Sequence, residues 1–288
     1  MRYLALEAGI GRLEDDGSVA VLDAPATLAA YMGDGRRLDE LGSRRVVARS
    51  AADDVVLAPI IEPGSATWGI GLNYRSKQRA TGRELPDHPT LFLKAPSAAA
   101  RPHEPIAIPL SAPECVDYEG EIAVVVGDHL FRASTSEAER AVVALAAAND
   151  VTARDVMRST GNPSLAKSFP GFAQLGSVAL DPHAYGGVEA LELSTTVNGE
   201  VRQHDTGAGM ILAVGELLAL LSHYVALCPG DVVLTGTPAG TGDETKTYLV
   251  SGDVVEVRLG DLPPLRSDVV AAEDARHRHD DERGTRPT

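Results

Sequence analysis

The sequence predicts an α+β fold rich in β-structure, and three observations predict it. Short apolar runs bounded by Gly, Pro, Asn and Asp recur along most of the chain, which is the pattern of strands and turns. The Asn198-Gly199 dipeptide separates two strand-like segments and is the strongest short hairpin signal. Only two stretches, 134–150 and 213–227, have the length and composition of substantial helices.

Residues 1–63 read as a small N-terminal domain. "MRYLALEAG" and "GSVAVLDAP" are strand-like around the turn-rich "EDDG", "ATLAAYMGDG" is a short helix, and "VVLAPIIEPG" leads into the main body. The body, 64–272, opens with a strand in "ATWGIGLNY" and a polar, turn-prone loop in "RSKQRATGRELPDHP". "TLFLKAPSAA" reads as strand then loop, and "EGEIAVVVG" as a strand. Residues 134–150 form a helix with Ser136 and Glu139 in a capping box. "LELSTTVNGEVRQ" is the hairpin, and 213–227 an amphipathic helix. "CPGDVVLTGTP" gives a turn and a strand, and "YLVSGDVVEVRLGDL" two more strands. Residues 273–288 are charged and aperiodic, so a disordered tail is expected. His277 and His279 beside Asp280 and Asp281 read as part of that solvated tail rather than as a metal site.

Composition narrows the function. The 288 residues are 44% hydrophobic, ordinary for a globular protein, and carry a formal net charge of -15. That charge argues against a nucleic-acid partner, which needs a basic face. Cys115 and Cys228 form no disulfide framework or zinc pattern and are expected as buried small side chains. No basic-then-apolar leader opens the chain and no apolar run is long enough to span a bilayer, so a cytoplasmic protein is expected.

One stretch, "CVDYEGEIAVVVG", resists a bland reading. Asp117, Glu119 and Glu121 alternate, so on a strand they project from one face. Three carboxylates this close repel, and burying them unpaired is costly. Either the face is a solvated edge or a cation sits among them.

The order of "GLNYRSK", "LFLKAPSA", "DYEGEIAVVVG", "NDVTARDV", "LAKSF", "VNGEVRQ", "PGDVVLTGTPAGTG" and "SGDVVEV" resembles the fumarylacetoacetate hydrolase family, from about Trp68 to Val270. The resemblance implies a β-rich, pseudo-barrel-like roll with a small N-terminal domain, and a homodimer. It also implies that Glu119, Glu121 and Asp150 hold a divalent metal. Hard oxygen donors suit Mg²⁺ or Mn²⁺, with Ca²⁺ also accommodated, better than zinc. Asp117 is assigned a supporting hydrogen bond or a local structural role.

The same resemblance implies catalysis by Lys167, which steadies negative charge on substrate or enolate. The expected substrate contacts are Lys94, Arg154, Met157, Gln203 and Thr237. Arg154 and Asp155 are also expected to hold the site together. "GTPAGTG" lacks the phosphate-loop pattern, so no nucleotide site is expected. The implied activity is metal-dependent hydrolysis of a C–C bond in a 2-oxo or 1,3-dicarbonyl acid through an enolate. Two alternatives stand beside it. One is a decarboxylase, tautomerase, isomerase or lyase that activates no water, and the other is a non-catalytic ligand-binding relative.

The departures from the family pattern bear on that choice. Where hydrolytic members carry Asp-His and then a Glu, this chain has Ser76, Lys77 and Ala80. The water-activating pair is missing, which favours the alternative without water activation. Lys77 is the catalytic candidate left there, as a base if desolvated or else as a carboxylate anchor. Met157 replaces a glutamine, Pro163 stands near a lost tryptophan, and Pro170-Gly171 and Thr206-Gly207-Ala208 replace polar runs. A more apolar or differently shaped substrate is expected. His88 and His103, near the lid in sequence, are the candidates to replace the lost histidine, with His204 weaker and His129, His183 and His223 peripheral.

Overall fold

The computed structural model describes residues 1–24, 26–86, 88–183 and 186–271. It begins with β1 (Arg2–Leu6), β2 (Gly9–Leu13), β3 (Ser18–Leu22), α1 (Leu28–Gly33) and β4 (Val46–Ala51). Next come β5 (Thr67–Ile70), α2 (Arg75–Thr81), β6 (Leu91–Lys94), β7 (Ile106–Ile108), β8 (Val116–Asp117) and β9 (Gly120–Val126). The middle holds α3 (Thr135–Arg140), β10 (Val142–Asp150), β11 (Thr152–Ala153), α4 (Arg154–Thr160), α5 (Pro163–Ala166), β12 (Ala173–Leu175) and β13 (Val178–Leu180). The last part runs through β14 (Glu192–Val197), β15 (Glu200–Thr206), α6 (Val214–Ser222), β16 (Val232–Leu234), α7 (Gly242–Thr245), β17 (Val254–Leu259) and β18 (Leu265–Ala271).

The central sheet has the order β4-β3-β2-β1-β13-β10-β9-β16-β5-β6, with β12 also on β10. A second sheet runs β15-β14-β17-β18-β7, and β11 with β8 forms a short ribbon. The N-terminal strands extend the central sheet through β1, whose Arg2 lies opposite Leu180 of β13. Among the described residues β4 and β6 are its edges, so the roll does not close into a barrel.

The core lies on both faces of the central strands. Ile122, Val124 and Val126 of β9 enter one apolar cluster with Leu145, Leu217 and Leu218. The alternate residues Ala123 and Val125 enter another with Tyr31, Met32 and Ala146. Alternation with both faces apolar is why "IAVVV" reads as an unbroken hydrophobic run.

The segment 134–150 corrects the sequence reading. It is a short helix, α3, followed by the nine-residue strand β10. The capping box is Ser134 with Glu137, not Ser136 with Glu139. Alanine favours a helix in isolation, but every residue of β10 is buried and the strand pairs with β9, β12 and β13. The alanines are there for close packing, so tertiary context overrides propensity.

Three further expectations change. The polar stretch after Tyr74 is not all loop, since Arg75–Thr81 forms α2, ended by Gly82 in the left-handed region at φ 64. "YLVSGDVVEVRLGDL" holds one strand, β17, whose antiparallel partner β18 begins beyond it at Leu265. Cys228 is exposed and Cys115 half-buried, because neither lies in a packed strand. The hairpin forms as expected, with Asn198 at φ 53 and Gly199 at φ 80, both positive as a type I′ turn requires. The expected tail with His277, His279, Asp280 and Asp281 lies outside the described residues. Among the described residues no helix is long and apolar enough to cross a membrane.

Candidate active site

The pairing of β9 with β10 assembles the site. Glu121 lies opposite Ala148 and Gly120 opposite Asn149, and Asp150 N donates to Glu119 O at 2.8 Å. Residues directly opposite in an antiparallel pair share a face. Glu119, Glu121 and Asp150 therefore converge, with one carboxylate oxygen from each within 4.8 Å of the others. All are buried. Gly120 is required between the glutamates, because a Cβ there would lie 1.9 Å from Thr195 Oγ1. Its N–H donates to Gln203 Oε1 at 2.9 Å.

The three acids of "DYEGE" do not share one continuous strand. β8 ends at Asp117 and β9 begins at Gly120. Asp117 turns away and accepts from the backbone N–H groups of Gly242 at 2.6 Å and Asp243 at 3.0 Å. Arg154 Nε donates to Asp117 Oδ2 at 2.7 Å, and the same guanidinium holds Glu119 Oε1. Asp117 is thus outside the cluster and supports it through Arg154.

Two lysines face the cluster. Lys167 Nζ lies 2.5 Å from Glu119 Oε2, and it also holds Asp150 Oδ2 and donates to Thr152 Oγ1 at 2.9 Å. It sits 4.7 Å from the centre of the Phe92 ring. Lys94, fully buried, holds the other oxygen of Asp150. Burial pushes its ammonium down to about 8, against the pull of Asp150. Burial likewise disfavours charge on Lys167, but Asp150 and Glu119 more than compensate and hold it above the usual lysine range.

The carboxylates are treated unequally. Burial raises Glu119, yet Arg154, Lys167 and Lys77 overcome that and hold it below the ordinary range. Glu121 accepts from Gly236 N at 2.7 Å but makes no ion pair among the described residues. Burial, with Asp150 and Glu119 beside it, raises it well above a normal glutamate. A buried carboxylate without a cation, facing two others, fits a divalent metal, and the all-oxygen donor set has the right chemistry for one.

A cleft of ≈ 590 Å³ opens onto this cluster. Glu119, Glu121, Lys167, Lys77, Arg154, Thr237 and Met157 line it, as do Ile70, Phe92 and Pro163 on an apolar wall. Arg83 and Arg158 line it too and are solvent-exposed. Lys94, Asp150 and Gln203 lie behind this surface. Gln203 Nε2 donates to Thr237 Oγ1 at 2.8 Å and to Pro238 O at 2.9 Å, so its amide ties the glycine of the glutamate pair to the "TGTP" turn. His88, His103 and His204 are exposed and none lines the cleft.

Lys77 stands on α2, not on a loop. Its Nζ donates to Thr241 Oγ1 at 2.7 Å and pairs with Glu244. Sequence reading missed Glu244. It lies far away in the chain, in a polar run with no local pattern, and only folding brings α7 to α2.

Comparison with known proteins agrees with this geometry. The family description "Fumarylacetoacetate (FAA) hydrolase C-terminal" matches residues 66–270. The chain is 32% identical over 235 residues to oxaloacetate tautomerase YisK of Bacillus subtilis, covering 80% of this chain and 77% of that protein. It is 30% identical over 281 residues to a mitochondrial oxaloacetate tautomerase of Homo sapiens, covering 93% and 87%. Among solved structures, a fumarylacetoacetate hydrolase from Exiguobacterium antarcticum superposes with a TM-score of 0.78 at 28% identity, covering 94% of this chain and 99% of that one. A 2-hydroxyhepta-2,4-diene-1,7-dioate isomerase from Mycobacterium marinum gives 0.74 at 28%, covering 94% and 98%. With the carboxylate cluster on β9 and β10 and the matched region spanning most of the fold, the chain belongs to the fumarylacetoacetate hydrolase family.

Proposed function

We propose that the chain is a divalent-metal-dependent tautomerase of a 2-oxo dicarboxylic acid of the oxaloacetate type. The observation that carries the reading is Lys167, whose ammonium bridges Glu119 and Asp150 at the floor of the cleft. A fixed positive charge there stabilises an enolate oxygen, the species any tautomerase of a 2-oxo acid must form. The oxaloacetate tautomerases among the relatives support it over C–C hydrolysis. So does the cleft lining, which includes no histidine among the described residues to activate a water.

Glu119, Glu121 and Asp150 would hold Mg²⁺ or Mn²⁺, which would supply Lewis acidity for a 2-oxo group when bound. Lys167 binds and steadies the negative oxygen. Arg154 fixes Glu119, and Lys94 fixes Asp150. Ile70, Phe92, Met157 and Pro163 exclude water along one wall. Arg83 and Arg158 supply positive charge for the second carboxylate.

The test is the approach of enol oxaloacetate to its keto form, followed by ultraviolet absorbance with Mn²⁺ and again with EDTA. Metal-dependent acceleration without loss of CO₂ is expected. Release of CO₂ would instead assign a decarboxylase, and two acids from an acylpyruvate would assign a hydrolase.

A further inference from the structure

Tautomerisation also needs a group that delivers and removes a proton at C3 of the substrate. On the tautomerase reading above, we propose that Lys77 is that group and that Glu244 is the residue that positions it. Among the described residues, the titratable groups lining the cleft leave few choices. Glu119 and Glu121 belong to the metal cluster, and Lys167 is held by Glu119 and Asp150. Arg83, Arg154 and Arg158 do not release a proton in proteins. Asp243 is held by Arg158 and accepts from Tyr248 Oη at 3.0 Å, and Glu84 is exposed on the loop after α2. Lys77 remains.

Its surroundings are built for a fixed ammonium. The side chains of Lys77 and Glu244 are 13% and 16% exposed, so the pair is shielded yet reaches the cleft. Both oxygens of Glu244 are anchored: Oε2 accepts from Gly240 N at 2.9 Å and Oε1 from Thr241 Oγ1 at 3.2 Å. α2 is itself pinned, with Arg75 donating to Ala208 O at 3.0 Å and Ser76 to Asp205. A lysine stem is long and flexible, and this carboxylate restricts it to one place. Glu244 is not part of the cleft lining, so it acts through Lys77 and not on substrate.

In the ketonising direction the electron pair of the enolate C2=C3 bond forms a new C3–H bond with a proton from the Lys77 ammonium. The N–H bond breaks, Nζ becomes neutral, and the charge on the enolate oxygen returns to the C2=O double bond. The proton that left the enol hydroxyl for water restores the ammonium. The reverse sequence enolises the keto acid, and neither direction needs an oxidant, reductant or co-reactant.

The experiment uses the full chain with Mn²⁺ and compares it with Lys77→Met, Glu244→Gln and the double variant, which leaves no unpaired charge. Oxaloacetate ketonisation gives kcat and KM, and calorimetric titration with oxalate, a planar enolate mimic, reads binding separately. Lys77→Met is expected to lower kcat about 100-fold or more and Glu244→Gln about tenfold. KM and the oxalate Kd should stay within about twofold, and the double variant should be no slower than Lys77→Met, as residues acting in one unit are non-additive. Unchanged kcat in Glu244→Gln, multiplied losses in the double variant, or lost oxalate binding would each overturn the assignment while leaving the tautomerase reading intact. No ketonisation by the unsubstituted enzyme would overturn both.

Discussion

Arg154 binds Asp117 through Nε at 2.7 Å and, through Nη2, holds the carboxylate of Glu119 in the buried acidic cluster. Asp117 is fully buried and Arg154 nearly so. Removing one member of a buried pair costs about 3–5 kcal/mol when the other is left unpaired, and because Arg154 keeps Glu119 the low end of that range applies. Asp117→Ala is therefore expected to destabilise the protein by about 3 kcal/mol in urea unfolding. It should also weaken Mn²⁺ binding, because Arg154 loses the anchor that fixes its guanidinium, and through it the Glu119 carboxylate, in place. Unaltered unfolding and unaltered Mn²⁺ affinity would show that Asp117 supports nothing.

Glu121 sets a pH dependence of stability in the metal-free protein. Its native carboxyl is raised well above the unfolded value, by burial first and then by Asp150 and Glu119. The native state then holds a proton that the unfolded chain gives up, so the contribution is fully present below the ordinary glutamate pKa. It is lost as pH rises towards the raised native value. Thermal unfolding in EDTA should show stability falling with pH above about 4.5, and Glu121→Gln should flatten that fall. Mn²⁺ should stabilise the unsubstituted protein more at pH 8 than at pH 5, since binding must expel the proton. Parallel curves for the two proteins would rule Glu121 out as the source.

Lys167 holds two of the three carboxylates of the candidate metal site, so it would compete with a metal for them. Lys167→Met should therefore tighten Mn²⁺ binding, by about tenfold, or ~1.4 kcal/mol, in calorimetry without substrate. The same variant should lose about 100- to 1000-fold in kcat for oxaloacetate, the scale of removing one group that stabilises an oxyanion. Looser metal binding together with lost turnover would mean that Lys167 only holds the fold.

Gly120 separates the two glutamates, and a methyl there would lie 1.9 Å from Thr195 Oγ1. Thr195 is itself fully buried on β14. Gly120→Ala should cost about 1–3 kcal/mol of stability by overpacking and weaken Mn²⁺ binding. The paired variant Gly120→Ala with Thr195→Ala should recover much of both, read by urea unfolding and calorimetry.

The limits of sequence reading show in particular residues. Glu119 and Glu121 are legible because i and i+2 alternation brings them to one face. Asp150 is legible only through its motif, because the alanines before it suggest a helix while the structure makes them β10. Lys77 was visible as a residue but not as a partner, since Glu244 comes from another part of the chain. The unequal treatment of the carboxylates was hidden too. Arg154, Lys167 and Lys94 reach Glu119 and Asp150 and, among the described residues, none pairs with Glu121.

By itself the sequence determined what is local and chemical. It fixed the alternating acids, the Asn198-Gly199 turn, the runs that become the core strands, and the oxygen-only donor set. Those follow from side-chain period and residue chemistry, which need no partner. Tertiary structure decided what depends on non-local pairing. It made 142–150 a strand by giving it hydrogen-bonded neighbours on both sides, turned Asp117 away from the acids it follows in sequence, and carried Glu244 to Lys77. Burial then determined which charges are compensated, and only the folded chain defines burial.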